Sequence, residues 1–325
     1  MADKPGRNQP AAHAPTRAPG SVFDLNRAIK SIVTIQSSIP EDAFTAQTLG
    51  EQRTGSGVVI RDTGLVLTIG YLITEAETVW IARADGQVTQ GHALAIDQET
   101  GFGLVQALGR LECPALEFGR SDLARIGDPV VVAAGGGTKA VHGAIVGKQE
   151  FAGYWEYYLE EAIFTAPAHH FWGGAGAIGA DGRLLGVGSL HVEQVSERDG
   201  PRDVNMIVPI GLLPPILDDL LTRGRVNKPA RPWLGIYSAE NGGEIVVAAV
   251  SEGGPAASAG VRRGDILASV RGAEVIDLGD FYRKVWDLGE AGVEVPIEII
   301  RDGRAVGLRI RSADRSSFLK RPRLQ

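Results

Sequence analysis

The sequence predicts a mainly β protein made of two units, and three observations carry that prediction. Short apolar runs, each bounded by Gly, Asp or Pro, recur along the first two-thirds of the chain. Glycine is abundant, at 43 of 325 residues, and aromatics make up only 6%, a mix that favours turn-rich β structure over a helical bundle. A helical stretch followed by GRVNKPARP, residues 224–232, then reads as a linker into a second, smaller α+β unit.

Taken in order, residues 1–22 are rich in Pro, Ala and Gly and read as a floppy leader. Order is expected from Phe23. Residues 26–36 end in a β-type run, and the polar stretch 37–54 reads as a long loop. Gly55–Ile60 and Gly64–Ile69 flank Arg61-Asp62-Thr63, the signal of a hairpin. TVWIAR, HALAID, FGLVQA, PVVVAA, GAIVGK, EAIFTA, LLGVGSL and VNMIVPI follow as further strands of a barrel or sandwich. Pro214–Arg223 has helical apolar spacing, with Pro where the first turn tolerates it. In the second unit, WLGIYS and EIVVAAV read as strands, SEGGPAASAG as a turn with a short helix, and DILASVRG as a strand. DLGDFYRKVWDL reads as a helix capped by Asp277, with Phe281, Val285 and Leu288 on one face. Two last strands meet at Asp302-Gly303, a hairpin turn signal. The expected boundaries are 23–222, a linker over 223–230, 231–312, and a basic tail over 313–325.

Composition narrows the function classes. Hydrophobic residues at 44% and charged residues at 22% suffice for ordinary cores. A net charge of −6 argues against nucleic acid as a partner. Residues 301–325 hold eight basic residues against two acidic ones, which reads as a solvated tail or as a docking tail for an acidic partner. The single cysteine, Cys113, rules out an intrachain disulfide. No apolar run reaches the length of a transmembrane helix, and the N-terminus has no apolar h-region, so a cytoplasmic location is expected.

Two stretches carry a resemblance to a known family. Ser251–Val275 (SEGGPAASAGVRRGDILASVRGAEV) resembles the core of a PDZ domain. Upstream, GSGVVI…GLVLTIGYLI, DQETGFGLVQA, FGRSDLARIGDPVVVAAG, Gly173–Leu190 and NMIVPI resemble the protease barrels of the HtrA/Deg serine proteases. The resemblance spans about Ile29–Ser312. It implies a chymotrypsin-like double β-barrel followed by one PDZ domain, and assembly as a homotrimer with an N-terminal segment such as Phe23–Ile29 taking part.

The chemistry implied by that resemblance is absent. A protease of this kind needs a Ser nucleophile, a His base and an Asp that holds the imidazole. The family's His lies three residues beyond a Leu-Thr pair; here Leu67-Thr68 leads to Tyr71. The family's Asp follows a Thr; here Thr100 precedes Gly101. The family's Ser lies eight residues before an Asp-Gly turn; counting back from Asp181-Gly182 gives Gly173. A phenol with a pKa near ~10 is a poor base at neutral pH. Without the triad only a residual enhancement of roughly 10³–10⁴ over water remains. The expectation is a pseudoprotease with no catalytic residues at Tyr71, Gly101 and Gly173.

The recognition loop is better kept. In the family, an aromatic-apolar-Gly-apolar loop receives a chain terminus, and Trp233-Leu234-Gly235-Ile236 matches it. Consecutive backbone N–H groups hold the carboxylate while the peptide adds as a strand. Ile236 and Val285 are expected to wall the pocket for the last side chain. The competing reading is a PDZ fold whose groove is used internally or not at all. The function expected is a scaffold or adaptor that binds protein C-termini. Two alternatives stand beside it: an endopeptidase using non-standard residues, and a structural subunit that assembles with an active paralogue.

Other features call for no cofactor and no metal. His169-His170 are neighbours on an extended chain and so face opposite sides. His92, His142, Ser189 and Ser56 read as structural. Phe171-Trp172 read as core filling of the former cleft or as a repurposed apolar pocket. Gly135–Lys139 lacks the spacing of a phosphate loop and reads as a turn.

Overall fold

The computed structural model describes residues 24–135, 139–196 and 200–320. The expected leader, Phe23, the middle of the Gly135–Lys139 turn and the last five residues of the basic tail lie outside the described residues. After a short helix, α1 (Leu25–Ile29), the first barrel is built from β1 (Ile32–Ser38), β2 (Gln52–Arg61), β3 (Leu65–Ile69), β4 (Thr78–Ala82), β5 (Val88–Ile96) and β6 (Phe102–Ala107). The strands close in the order β1-β2-β3-β6-β5-β4. The second barrel repeats the plan with β7 (Pro129–Ala134), β8 (Lys139–Gly153), β9 (Tyr157–Ala166), β10 (Gly176–Gly179), β11 (Leu184–Ser196) and β12 (Gly200–Pro209), ordered β10-β11-β12-β9-β8-β7. All pairs are antiparallel, and closure leaves neither sheet an edge.

The sequence explains the strands locally. β5 alternates buried and half-buried residues, as a strand with one inward face must. All five residues of β3 are buried, because this strand faces its own barrel on one side and the second barrel on the other. One continuous core joins the barrels, running from Ile32, Leu67 and Phe102 to Tyr157, Phe164, Val187 and Met206.

The reading of residues 37–54 as a long loop is corrected. β1 extends to Ser38, β2 begins at Gln52, and a short helix lies between them at Ala46–Leu49 (α2). What orders this polar stretch is a buried charged network that local pattern does not announce. The Glu75 carboxylate accepts from the Phe44 N–H (3.0 Å), the Thr45 N–H (2.7 Å) and the Thr45 hydroxyl (2.6 Å). Arg53 donates to the carbonyls of Gly50, Tyr71, Thr74 and Thr45. Burial pushes the Glu75 carboxyl upward, but a hydrogen bond from the Lys320 N–H, together with those from Thr45 and Phe44, holds it below the usual carboxylate range.

Pro214–Arg223 forms the expected helix α3, closed by Gly224 in the left-handed conformation. The C-terminal unit contains β13 (Ile236–Asn241), β14 (Glu244–Val250), α4 (Pro255–Ser258), β15 (Ile266–Val270), β16 (Ala273–Glu274), α5 (Leu278–Trp286), β17 (Glu294–Arg301) and β18 (Arg304–Arg311). Its sheet runs β13-β14-β15-β17-β18, with β16 beside β15. Asp277 caps α5 by accepting from the Asp280 N–H at 2.6 Å. Asp302 and Gly303 both take positive φ, the geometry of a two-residue hairpin turn. Asp265 is buried and takes both forks of Arg301 at 2.7 Å, tying β15 to β17.

The solvated-tail expectation is corrected for residues 313–320. Ala313 pairs with Trp233 through both backbone groups, and residues 315–318 form a 3-10 turn. The Phe318 ring packs on Trp233 at 4.9 Å and on Phe44 at 5.8 Å. The Lys320 N–H reaches Glu75 at 2.9 Å, and its ammonium pairs with Asp42. The acidic partner of these basic residues is therefore, in part, the chain's own first barrel.

Candidate functional site

Two places bring together the residues singled out by sequence: the junction of the barrels and the loop that opens the C-terminal unit. At the junction, Tyr71 lies in a one-turn helix directly after β3, and Gly173 lies in the loop before β10. The two are neighbours. A Cβ placed on Gly173 would lie 2.7 Å from the Tyr71 hydroxyl oxygen. That hydroxyl donates to the Ser189 carbonyl at 2.9 Å. Burial drives the Tyr71 phenol well above its ordinary range, and a hydrogen bond with Trp172 only partly offsets this. The phenol therefore stays protonated at neutral pH and accepts no proton from a neighbour.

Gly101 precedes β6 with φ +79°, and a Cβ there would press on the Tyr157 hydroxyl at 3.1 Å. Its N–H and carbonyl are taken by Asp97 and Gly70. The amides after Gly173 are also engaged: Gly174 donates to the Gly188 carbonyl at 2.8 Å and Ala175 to the Trp172 carbonyl at 3.0 Å. Ser56 is more than a turn residue. Its N–H donates to the Gly173 carbonyl, and its hydroxyl accepts from the Gly135 N–H at 3.0 Å, so it fixes the junction loops.

The aromatic pair beside Gly173 divides. Trp172 stacks on His191 at 5.3 Å between ring centres. Phe171 is 53% exposed, with the Lys139 ammonium 3.6 Å above its ring, so the core-filling expectation fails for this residue. His169 is buried and its Nδ1 accepts from the Phe171 N–H, whereas His170 is exposed. Burial lowers the His169 imidazole below its usual range. Among the described residues no cluster of three potential metal ligands occurs. Ser189 is buried on β11; His92 and His142 lie on β5 and β8.

The second place is the loop before β13. Leu234, Gly235 and Ile236 turn three consecutive N–H groups toward one point, as Gly235 with φ +76° allows. A carboxylate already stands at that point. Glu156, from the turn between β8 and β9 of the second barrel, accepts from Leu234 at 3.0 Å, Gly235 at 2.6 Å and Ile236 at 2.9 Å. The Tyr154 carbonyl accepts from the Ser238 N–H of β13 at 3.0 Å, the bond an added strand would make. The Tyr282 hydroxyl of α5 locks the segment, donating to the Gly153 carbonyl at 2.7 Å and accepting from the Glu156 N–H at 3.1 Å.

Burial pushes the Glu156 carboxyl up to about 7, against the opposing pull of the three amides and of half-buried Arg315. Trp233, expected at this site, instead anchors the loop to Phe44 and Phe318. Ile236 and Val285, expected to wall a pocket, are 1% and 2% exposed within the core of the unit. Sequence reasoning missed Glu156. The one available signal was an acid set among four aromatics, Tyr154, Trp155, Tyr157 and Tyr158, where an unpaired charge would be costly to bury.

Comparison with known proteins agrees with this architecture. Residues 55–187 match the model of a trypsin-like peptidase domain, and residues 232–311 match that of a PDZ domain. The chain is 26% identical over 282 residues to the serine endoprotease DegS of Escherichia coli strain K12, covering 79% of this chain and 75% of that protein. It is 26% identical over 268 residues to a probable periplasmic serine endoprotease DegP-like of Pseudomonas fluorescens, covering 78% of this chain and 54% of the relative. Among solved structures, a serine endoprotease from Yersinia pestis superposes with a TM-score of 0.52 at 22% identity, covering 92% of this chain and 99% of the other. The HtrA-type protease AlgW with tripeptide gives 0.51 at 22% identity, covering 92% and 97%. With two closed barrels, an amide loop ahead of a five-membered strand path, and matches to both modules in this order, the chain carries a trypsin-like peptidase domain followed by a PDZ domain and is similar to the HtrA/Deg proteins.

Proposed function

We propose that this protein does not cleave peptides and instead acts as a receptor or adaptor for protein C-termini through its PDZ domain. The observation that carries the reading is the convergence of the Leu234, Gly235 and Ile236 amides on a single carboxylate. A chain terminus presents the same group, and a peptide adding beside β13 would offer the Ser238 N–H the acceptor that the Tyr154 carbonyl now supplies.

The non-cleaving half of the proposal rests on Tyr71, Gly101 and Gly173 standing where the triad would stand. Gly173 carries no oxygen nucleophile. Tyr71 is a protonated phenol that donates to a carbonyl, so it is turned to the wrong task for a base. Gly101 has no side chain to orient an imidazole. Incubation with unfolded casein and with a fluorophosphonate probe tests this half: absence of cleavage and of labelling is expected, and labelling of any serine overturns it. The receptor half is tested by affinity capture with intact protein and a Gly235→Val variant, read by mass spectrometry. Captured proteins that share apolar C-termini and vanish with the variant are expected. Identical capture by both proteins overturns it.

A further inference from the structure

Resting on the receptor reading above, we propose that the Tyr154–Glu156 segment is an internal ligand of the PDZ loop, and that an incoming chain terminus binds only by displacing it. Terminus binding and release of the β8–β9 turn from the PDZ domain are then one exchange.

Exclusivity follows from the donors. Three N–H groups at 2.6–3.0 Å already surround the Glu156 carboxylate, and a second carboxylate cannot share them without like-charge repulsion. The next donor along the groove, the Ser238 N–H, is taken by Tyr154. A peptide laid on the present arrangement would find neither its terminal anchor nor its first strand bond. Because the segment belongs to the same chain, it competes at a high effective concentration. The apparent affinity of a peptide falls with the fraction of molecules in which the loop is vacant.

The exchange is not symmetrical. Glu156 enters with a side-chain carboxylate and gives the groove no terminal apolar side chain, and Ile236 and Val285 lie closed in the core. Ala152 and Tyr158 of the second barrel already pack on this core, so a terminus ending in an apolar residue would replace that cover with its own side chain. The apolar core behind the amide loop names the partner class: free C-termini ending in aliphatic or aromatic residues. The released turn continues directly into β9, which carries Tyr157 against the Gly101 loop through a hydrogen bond to the Thr100 carbonyl. The exchange is thereby connected to the barrel junction.

The test uses the full chain with Glu156→Gly, which removes the carboxylate at a residue that already has φ +60° and so suits glycine. Tyr282→Phe, which loosens the segment without touching the amide loop, is the second variant. Fluorescent short peptides ending in Val, Leu or Phe, with C-amidated controls, are titrated by anisotropy. Hydrogen exchange of the Leu234–Ile236 amides is followed in parallel. Expected are at least about tenfold tighter binding by Glu156→Gly, a smaller gain for Tyr282→Phe, none for amidated peptides, and lost protection of the three amides. Equal affinity of wild type and Glu156→Gly overturns the exchange while leaving the receptor reading intact. Absence of binding in all proteins overturns the receptor reading and the exchange with it. Unchanged amide protection in Glu156→Gly overturns the internal contact whatever the peptides do.

Discussion

The barrel junction and the PDZ loop make different demands on the sequence. A triad is built from three side chains, and each must be of one type in one place. At the junction the framework persists: the Tyr71 hydroxyl and the backbone of Gly173 are near neighbours where the barrels meet. The residue types there perform no acid–base or nucleophilic work in the reading proposed above. The PDZ loop is built from main chain, and any sequence that allows the bend at Gly235 presents the same three donors. A backbone site survives substitution that would erase a side-chain site. It is also indiscriminate about its carboxylate, which is why Glu156 of the chain itself can fill it.

The sharpest way to break this comparison is Gly235→Val. Positive φ and a Cβ 3.1 Å from both Ser251 and Trp233 leave a β-branched residue no room. Peptide binding in the Glu156→Gly background is expected to fall by more than about a hundredfold, with a stability loss of roughly 1–3 kcal/mol. Titration and thermal melting check it; retained binding would show that the donors do not come from this loop.

Next in size is Gly173→Ser. Its Cβ would stand 2.7 Å from the Tyr71 hydroxyl, so a loss of roughly 1–3 kcal/mol is expected, with no fluorophosphonate labelling because no base adjoins the new hydroxyl. Adding Tyr71→His relieves the crowding and should recover part of the melting temperature. A double variant less stable than the single would contradict the proximity of the two positions.

The pH dependence separates the sites further. Docked Glu156 has its carboxyl raised to about 7, above the value of an exposed glutamate. The docked form therefore binds a proton more strongly than the released form. Docking is fully favoured at acid pH and loses ground as pH rises through about 7. The charged and titratable neighbours are Arg315, which pulls the value down, and Tyr282, whose phenol is pushed far up and stays neutral. Glu240 acts on Tyr282, and Tyr237 and Glu75 act on Arg315. Peptide affinity of the wild type should rise by roughly tenfold between mildly acid and mildly alkaline pH and stay nearly flat in Glu156→Gly. A slope shared by both proteins would assign the titration to another group.

The smallest effect is expected from Phe318→Ala. This half-buried ring bridges Trp233 and Phe44, and its loss should cost about 1–2 kcal/mol without changing peptide selectivity. Equilibrium denaturation measures it, and a neutral result would show that the tail does not brace the PDZ loop.

Much of this was legible in the residues. The hairpins, the helix Pro214–Arg223 and the capped helix after Asp277 follow from patterns that act over a few positions, and the structure holds them at those positions. Tyr71 and Gly173 were picked out by the resemblance, from their places in the family's motifs, and prove to be spatial neighbours. The ordering of residues 37–54 was hidden, because it depends on Glu75 and Arg53 meeting backbone groups far along the chain.

By itself the sequence determined two β units in this order, the absence of an oxygen nucleophile at Gly173, and an amide-bearing loop at Leu234–Ile236. Only the tertiary structure decided that the loop is filled by Glu156 and that the basic tail folds back on Trp233 and Glu75. The physical reason is range. Strand alternation, caps and turns are settled by neighbours in sequence. The burial of a single carboxylate or arginine is settled by which donors and acceptors the fold brings to it from far along the chain, and no local pattern encodes that meeting.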